Sequence, residues 1–120
     1  MRTIIAGPRD YNNYEDLLLA IEQITWEITE VVSGGARGVD TMGERWAKEH
    51  NIPIKRFDAD WKGWGKKAGM IRNARMANYV GKEGALLALY DYDKRSPGTT
   101  NMIEVATEKG LTKYVFPILR

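Results

Sequence analysis

Short apolar runs and segments of helical period take turns along all 120 residues. Thr3-Ile4-Ile5-Ala6-Gly7 comes first and is stopped by Gly7-Pro8, and its lack of alternation suits a strand covered on both faces. Arg9 to Asn13 is a polar loop containing helix-capping residues. Tyr14, Leu17, Leu18, Ile21 and Ile24 then recur at helical spacing. Val31-Val32-Ser33 is the next strand, with Trp26 and Ile28 leaving its start open. A second helix runs from Val39 to His50, with Val39, Met42 and Trp46 on one face. Ile52 to Phe57 reads as a third strand, and Pro53, Lys55 and Arg56 put it at an edge.

Asp58 to Gly69 reads as a long loop carrying Trp61 and Trp64, of a length that is usually functional or mobile. The spacing predicts a third helix over 69–80 with Met70, Ala74 and Ala77 inward. Ala85 to Leu89 is the most apolar run and is read as a central strand. A loop from Tyr90 to Gly98 leads to a helix from Thr99 to Lys109, ended by Gly110, and Lys113 to Ile118 closes the pattern.

Five strands alternating with four helices argue a parallel, doubly wound sheet in a three-layer α/β/α fold. Right-handed crossovers leave few topologies, and the expected five-strand order is 3-2-1-4-5. The switch point then lies between the first and fourth strands. A ligand crevice is expected outside their C-terminal ends, bordered by Gly7 to Asn13, Ser33 to Asp40 and Tyr90 to Thr99. The loop bearing Trp61 and Trp64 would fold over it from the third strand.

Composition narrows the chemistry. With no cysteine and a single histidine, His50, thiolate metal sites, cysteine nucleophiles and histidine triads fall away, so neither a metal nor a cofactor is expected. The formal net charge of +2 is too small to point to nucleic acid or a membrane, and no apolar run approaches membrane-spanning length. The expectation is one cytoplasmic domain over residues 1–120.

Three stretches suggest a binding site. Ser33-Gly34-Gly35-Ala36-Arg37-Gly38-Val39-Asp40 is a glycine turn between strand and helix, where backbone N–H groups and a helix N-terminus can face an anion. It matches neither the dinucleotide nor the Walker fingerprint, so it reads as a generic phosphate-binding loop with Arg37 beside it. Asp40 either caps the helix or accepts from ribose hydroxyls. Ser96-Pro97-Gly98-Thr99-Thr100 is a second glycine turn opening a helix, with Asn101 and Glu104 forming a loose capping box as the plainer reading. In Ala68 to Met76, Arg72 and Asn73 sit near a helix start. A cation opposes the macrodipole there, so an anionic partner is a reason for it. Arg9 is a further candidate for the same anion, since arginine suits phosphate. Trp61 and Trp64 either stack on a base or pack internally.

Gly7-x-Arg9-Asp10-Tyr11, the Ser33-to-Asp40 turn, Ala68-Gly69-x-x-Arg72-Asn73-x-x-Met76 and Pro97-Gly98-Thr99 together resemble the YspA/YpsA-related branch of the SLOG superfamily. The resemblance implies a Rossmann-like domain that binds a nucleotide or nucleotide-derived ligand, in a sensor, sequestering or processing role, and it implies a homodimer. Relatives in that superfamily include phosphoribohydrolases of the lonely-guy type and the single-stranded-DNA-binding DNA-processing protein A. The phosphoribohydrolases pair an arginine in R-K-x-x-M with a glutamate after their second glycine turn. Here Arg72 and Met76 match, Asn73 replaces the lysine, and the glutamate position falls on Asn101 or Met102, with Glu104 further along the helix and Glu44 beside the first turn. The alternative reading is therefore cleavage of an N-glycosidic bond, with Arg72 and Glu104 as the catalytic pair, or Glu44 in place of Glu104. Single-stranded DNA binding is the weakest alternative.

Overall fold

A computed structural model describes residues 1–120. Five strands, β1 (Arg2–Ala6), β2 (Glu30–Ser33), β3 (Ile54–Arg56), β4 (Ala85–Tyr90) and β5 (Thr112–Pro117), form one sheet in the order β3-β2-β1-β4-β5. Every pairing is parallel, with Ile4 opposite Val32 on one side and Leu86 on the other. The helices are α1 (Tyr14–Gln23), α2 (Val39–Glu49), α3 (Trp61–Trp64), α4 (Ala68–Val80) and α5 (Pro97–Glu108). The fold is Rossmann-like, as the alternation of runs implied.

Period-two geometry explains why the strands read as unbroken apolar runs. Neighbouring side chains point to opposite faces, and both faces are covered. Ile5, Val31, Leu87 and Leu89 pack with Leu17 and Ala20 of α1 and with Val39, Met42 and Trp46 of α2. Ile4, Val32, Leu86 and Ala88 pack with Met76, Ala77 and Val80 of α4 and with Met102 and Ala106 of α5. All six residues of β4 are buried.

Several local expectations need correction. The third strand is shorter than 52–57, although the Phe57 N–H still donates to the Ser33 carbonyl at 2.8 Å. Trp26 and Ile28 do not extend β2. The Trp26 indole N–H donates to Thr3 Oγ1 at 3.0 Å, and Ile28 is buried under the sheet with the α1 and α2 side chains.

The segment 58–69 is no open loop. Asp60 caps α3 by accepting the Gly63 N–H at 2.9 Å, and a 3₁₀ turn at Gly65–Lys67 runs directly into α4. A four-residue helix made of tryptophan, glycine and lysine has no apolar period to betray it. Met70 points outward, 58% exposed, and Asn73 takes the inward position. Apolar character misassigned that face because the first turns of α4 border an open crevice. Pro97 starts α5 two residues before Thr99, in the position where its missing N–H costs nothing. No helix is long and apolar enough to cross a membrane.

Candidate functional site

At the switch point between β1 and β4 the sheet opens into a crevice of about 470 Å³. Ala6, Met76 and Met102 make its floor, and the rest of its lining is mostly polar. Its position follows from topology. Chains leaving β1 and β4 turn to opposite faces, so nothing fills the gap between their C-terminal ends.

The glycine turn forms one side and is internally braced. Ser33 Oγ accepts the Gly35 N–H at 3.1 Å and donates to Glu44 Oε2 at 2.6 Å. Asp40 Oδ2 accepts the Ala36 N–H at 3.1 Å, and Thr41 Oγ1 donates to the Ala36 carbonyl at 2.9 Å. Arg72 Nη1 donates to the Gly34 carbonyl at 3.2 Å, and Arg56 Nη2 to the Gly35 carbonyl at 3.1 Å. Two of the turn's N–H groups are thus occupied by the protein's own side chains. Ser33, Gly34 and Gly35 do not line the crevice; they hold Ala36 and Asp40, which do.

Asp40 is the buried carboxylate of the site, 6% exposed. Burial pushes its pKa up to about 6, against the opposing pull of the Ala36 N–H and the Arg72 charge. A carboxyl raised above its unfolded value of 3.8 favours folding below that value, and the favour is lost as pH rises through about 6. Wild type should therefore lose about 2–3 kcal/mol relative to Asp40→Asn between pH 4 and pH 7. Urea midpoints of both proteins across that range measure it, and a difference that does not change with pH would contradict it.

The opposite side is the start of α5. Ser96 gives no side-chain cap, so the N–H groups of Gly98 and Thr99 have no partner in the protein, while the Thr100 N–H reaches back to the Ser96 carbonyl at 2.9 Å. Asn73 ties this helix to α4: its Nδ2 donates to the Gly98 carbonyl at 3.1 Å and to Asn101 Oδ1 at 2.9 Å. Asn73 borders the crevice but its amide is committed to scaffolding. Arg72 lies beside it with no carboxylate in salt-bridge range and only long, 3.4 Å contacts to Asn73 Oδ1 besides the Gly34 carbonyl.

Gly7, Arg9, Asp40, Arg72, Asn73, Pro97, Gly98 and Thr99 all line this one crevice. Arg37 and Gly38 line a shallower hollow of about 560 Å³ that shares Arg9 and Asp10 with it. Arg9 and Arg37 are exposed and make no ion pair. Glu104 is not brought to the site. Thr99, Met102 and Ala106 form the inward face of α5, and Glu104, two residues past Met102, is carried about 200° around the helix into solvent. Glu44 is held by Ser33 and lies 3.7 Å from Arg56, outside the crevice lining.

One crevice residue escaped sequence reasoning. Arg120 reaches the crevice from beyond β5, donating to Asp91 Oδ2 at 2.9 Å and Asp10 Oδ1 at 3.0 Å. An arginine outside every motif gave no signal. Trp61 lines the crevice and Trp64 does not, although both are more than half exposed.

The model of the YspA, cpYpsA-related SLOG family matches residues 1–64, more than half the chain. The chain is also similar to Gene 61 protein of Mycobacterium phage D29, 37% identical over 86 residues. That match takes in 68% of this chain and 66% of that protein, so the chain spans just under two thirds of the relative's length. No solved structure matches it.

Proposed function

The chain belongs to the YspA, cpYpsA-related SLOG family, and from that premise we propose that it binds a nucleotide or nucleotide-derived ligand in the crevice between β1 and β4. Family membership is consistent with nucleotide-related binding or processing, and the crevice supplies parts that suit such a ligand. The observation that carries the reading is the uncapped start of α5 sharing one crevice with Arg72, an arginine without a carboxylate partner. Two free N–H groups, the positive end of a helix dipole and a guanidinium are complementary to a phosphate. Arg9 adds charge at the rim, and the Asp40 carboxylate is the acceptor for sugar hydroxyls. Titration calorimetry against adenine and guanine mono- and diphosphates, cyclic nucleotides and ADP-ribose tests this. Micromolar binding of at least one is the expected result, and no heat from any of them with a folded chain would refute the reading. A cytoplasmic setting and a homodimer belong to the same proposal.

A second reading, cleavage of the N-glycosidic bond, is favoured by Asp40 alone. A buried carboxyl titrating near pH 6 beside an arginine suits stabilisation of an oxocarbenium-like state or activation of water at the sugar carbon. In that reading Asp40 takes the part of a glutamate, because Glu104 points to solvent and Glu44 is held by Ser33, both outside the crevice lining. Chromatography of the titrated nucleotides separates the two readings: intact ligand means binding only, and free base that disappears with Asp40→Asn means hydrolysis.

A further inference from the structure

Trp61 is 56% exposed, which is unusual for the largest apolar side chain unless something else covers it. Trp64 and Met70 are equally exposed nearby, but of the three only Trp61 lines the crevice. Its placement is fixed by the backbone. Asp60 caps the α3 turn through Gly63, and the Trp64 N–H donates to the Asp60 carbonyl at 2.9 Å. Gly69, in the first turn of α4, has no side chain at the point between the indole and Arg72. A carbon there would lie 3.6 Å from Trp61 Cη2 and 3.9 Å from Arg72 Nη2. The indole edge and the guanidinium thus flank one vacant spot at the crevice mouth. Elsewhere the apolar lining is floor, with Met76 and Met102 almost fully buried, so Trp61 offers the broad exposed ring.

We infer that Trp61 is the surface on which the ligand's aromatic base stacks, and that it makes the site select nucleotides over sugar phosphates. The inference rests on the nucleotide-binding reading and adds the element that discriminates. Arg72 and the α5 N-terminus recognise a phosphate that any phosphorylated sugar carries, whereas a flat indole beside them rewards only a ligand with a ring. Stacking of one base on one aromatic side chain is worth about 10- to 100-fold in affinity.

The test compares adenosine and guanosine 5′-monophosphate with ribose 5-phosphate, titrated into wild type, Trp61→Ala, Trp61→Phe and Trp64→Ala. Wild type should favour a nucleotide over ribose 5-phosphate by at least about tenfold. Trp61→Ala should erase most of that ratio while leaving ribose 5-phosphate binding within about twofold, and Trp61→Phe should restore it. Trp64→Ala should match wild type. As a second check, Gly69→Leu fills the vacant spot with a good helix former and should abolish nucleotide binding without lowering the melting temperature. A nucleotide preference that survives Trp61→Ala, or a loss that falls equally on nucleotide and ribose 5-phosphate, would overturn the stacking role while leaving nucleotide binding in place. Wild type binding none of the three, nor any of the diphosphates, cyclic nucleotides or ADP-ribose, would overturn both.

Discussion

Replacing Arg72 by alanine is expected to weaken binding of a nucleoside monophosphate about 100-fold while the chain stays folded. Two of the five guanidinium N–H donors are uncommitted and two more make only long, 3.4 Å contacts to Asn73 Oδ1, the one shorter protein contact being 3.2 Å to the Gly34 carbonyl. Two charge-assisted hydrogen bonds to a phosphate would contribute roughly 3 kcal/mol in this half-open crevice, which matches a loss of about 100-fold. Arg72→Lys retains the charge but not the planar fork, so about tenfold of the loss should remain. The unphosphorylated nucleoside serves as the internal control. Its weaker affinity should be the same in wild type and Arg72→Ala, because the base and sugar contacts lie elsewhere. Calorimetry on both ligands checks this. Equal losses for nucleoside and nucleotide would mean that Arg72 only props up the glycine turn.

The largest stability effect is expected at Gly38. Its φ of +71° lies where side chains are rarely tolerated, and a Cβ would come within 2.4 Å of the Pro8 carbonyl oxygen and 2.6 Å of the Arg9 carbonyl carbon. Both are backbone atoms of the loop after β1, which is also pinned here by the Val39 N–H donating to the Pro8 carbonyl at 3.2 Å. Neither side can give way without pulling α2 off the sheet. Gly38→Ala should destabilise the fold by about 3–5 kcal/mol, from backbone strain and overpacking together, and lower the melting temperature by roughly 10–20 °C. Gly98→Ala makes the contrast. Nothing lies within 4 Å of a Cβ there and its φ is not in the left-handed region. Calorimetric scans should show Gly98→Ala melting with wild type. A Gly38→Ala protein as stable as wild type would refute the described packing of the first loop on α2.

These two residues show how much could be read from the chain itself. Non-alternating runs such as Thr3 to Ala6 and Ala85 to Leu89 announced a sheet covered on both faces, and glycine turns before helical periods announced parallel crossovers. Topology then put the crevice between the first and fourth strands. What the pattern could not supply was the allocation of polar groups within the turns. Ser33, Gly34 and Gly35 look like a ligand loop, yet the Ser33 hydroxyl and the Gly34 and Gly35 carbonyls are taken up by Glu44, Arg72 and Arg56, none of them close in sequence. Asn73 looks like a ligand contact and is spent on Gly98 and Asn101.

Helix phase explains the other differences. Glu104 lies further along α5 than the motif's glutamate position and at the wrong angle about the helix. Met70 is apolar but sits exposed in the first turn of α4, outside the crevice lining. Arg120 enters only because β5 runs parallel to β4 and delivers its following residues to the same sheet edge. Partnerships across more than a hundred residues, such as Arg120 with Asp10, leave no trace in local spacing.

The central claim is that a nucleotide occupies the gap between the glycine turn, Arg72 and the start of α5. Backbone amide NMR shifts recorded while adenosine or guanosine 5′-monophosphate is titrated into the folded chain test it most directly. The largest, saturable shifts are expected at Gly98 and Thr99, with Asp40, Gly69 and Arg72 following. Shifts centred on the solvent face of α1 or on β3, with Gly98 and Thr99 unmoved at saturation, would contradict it.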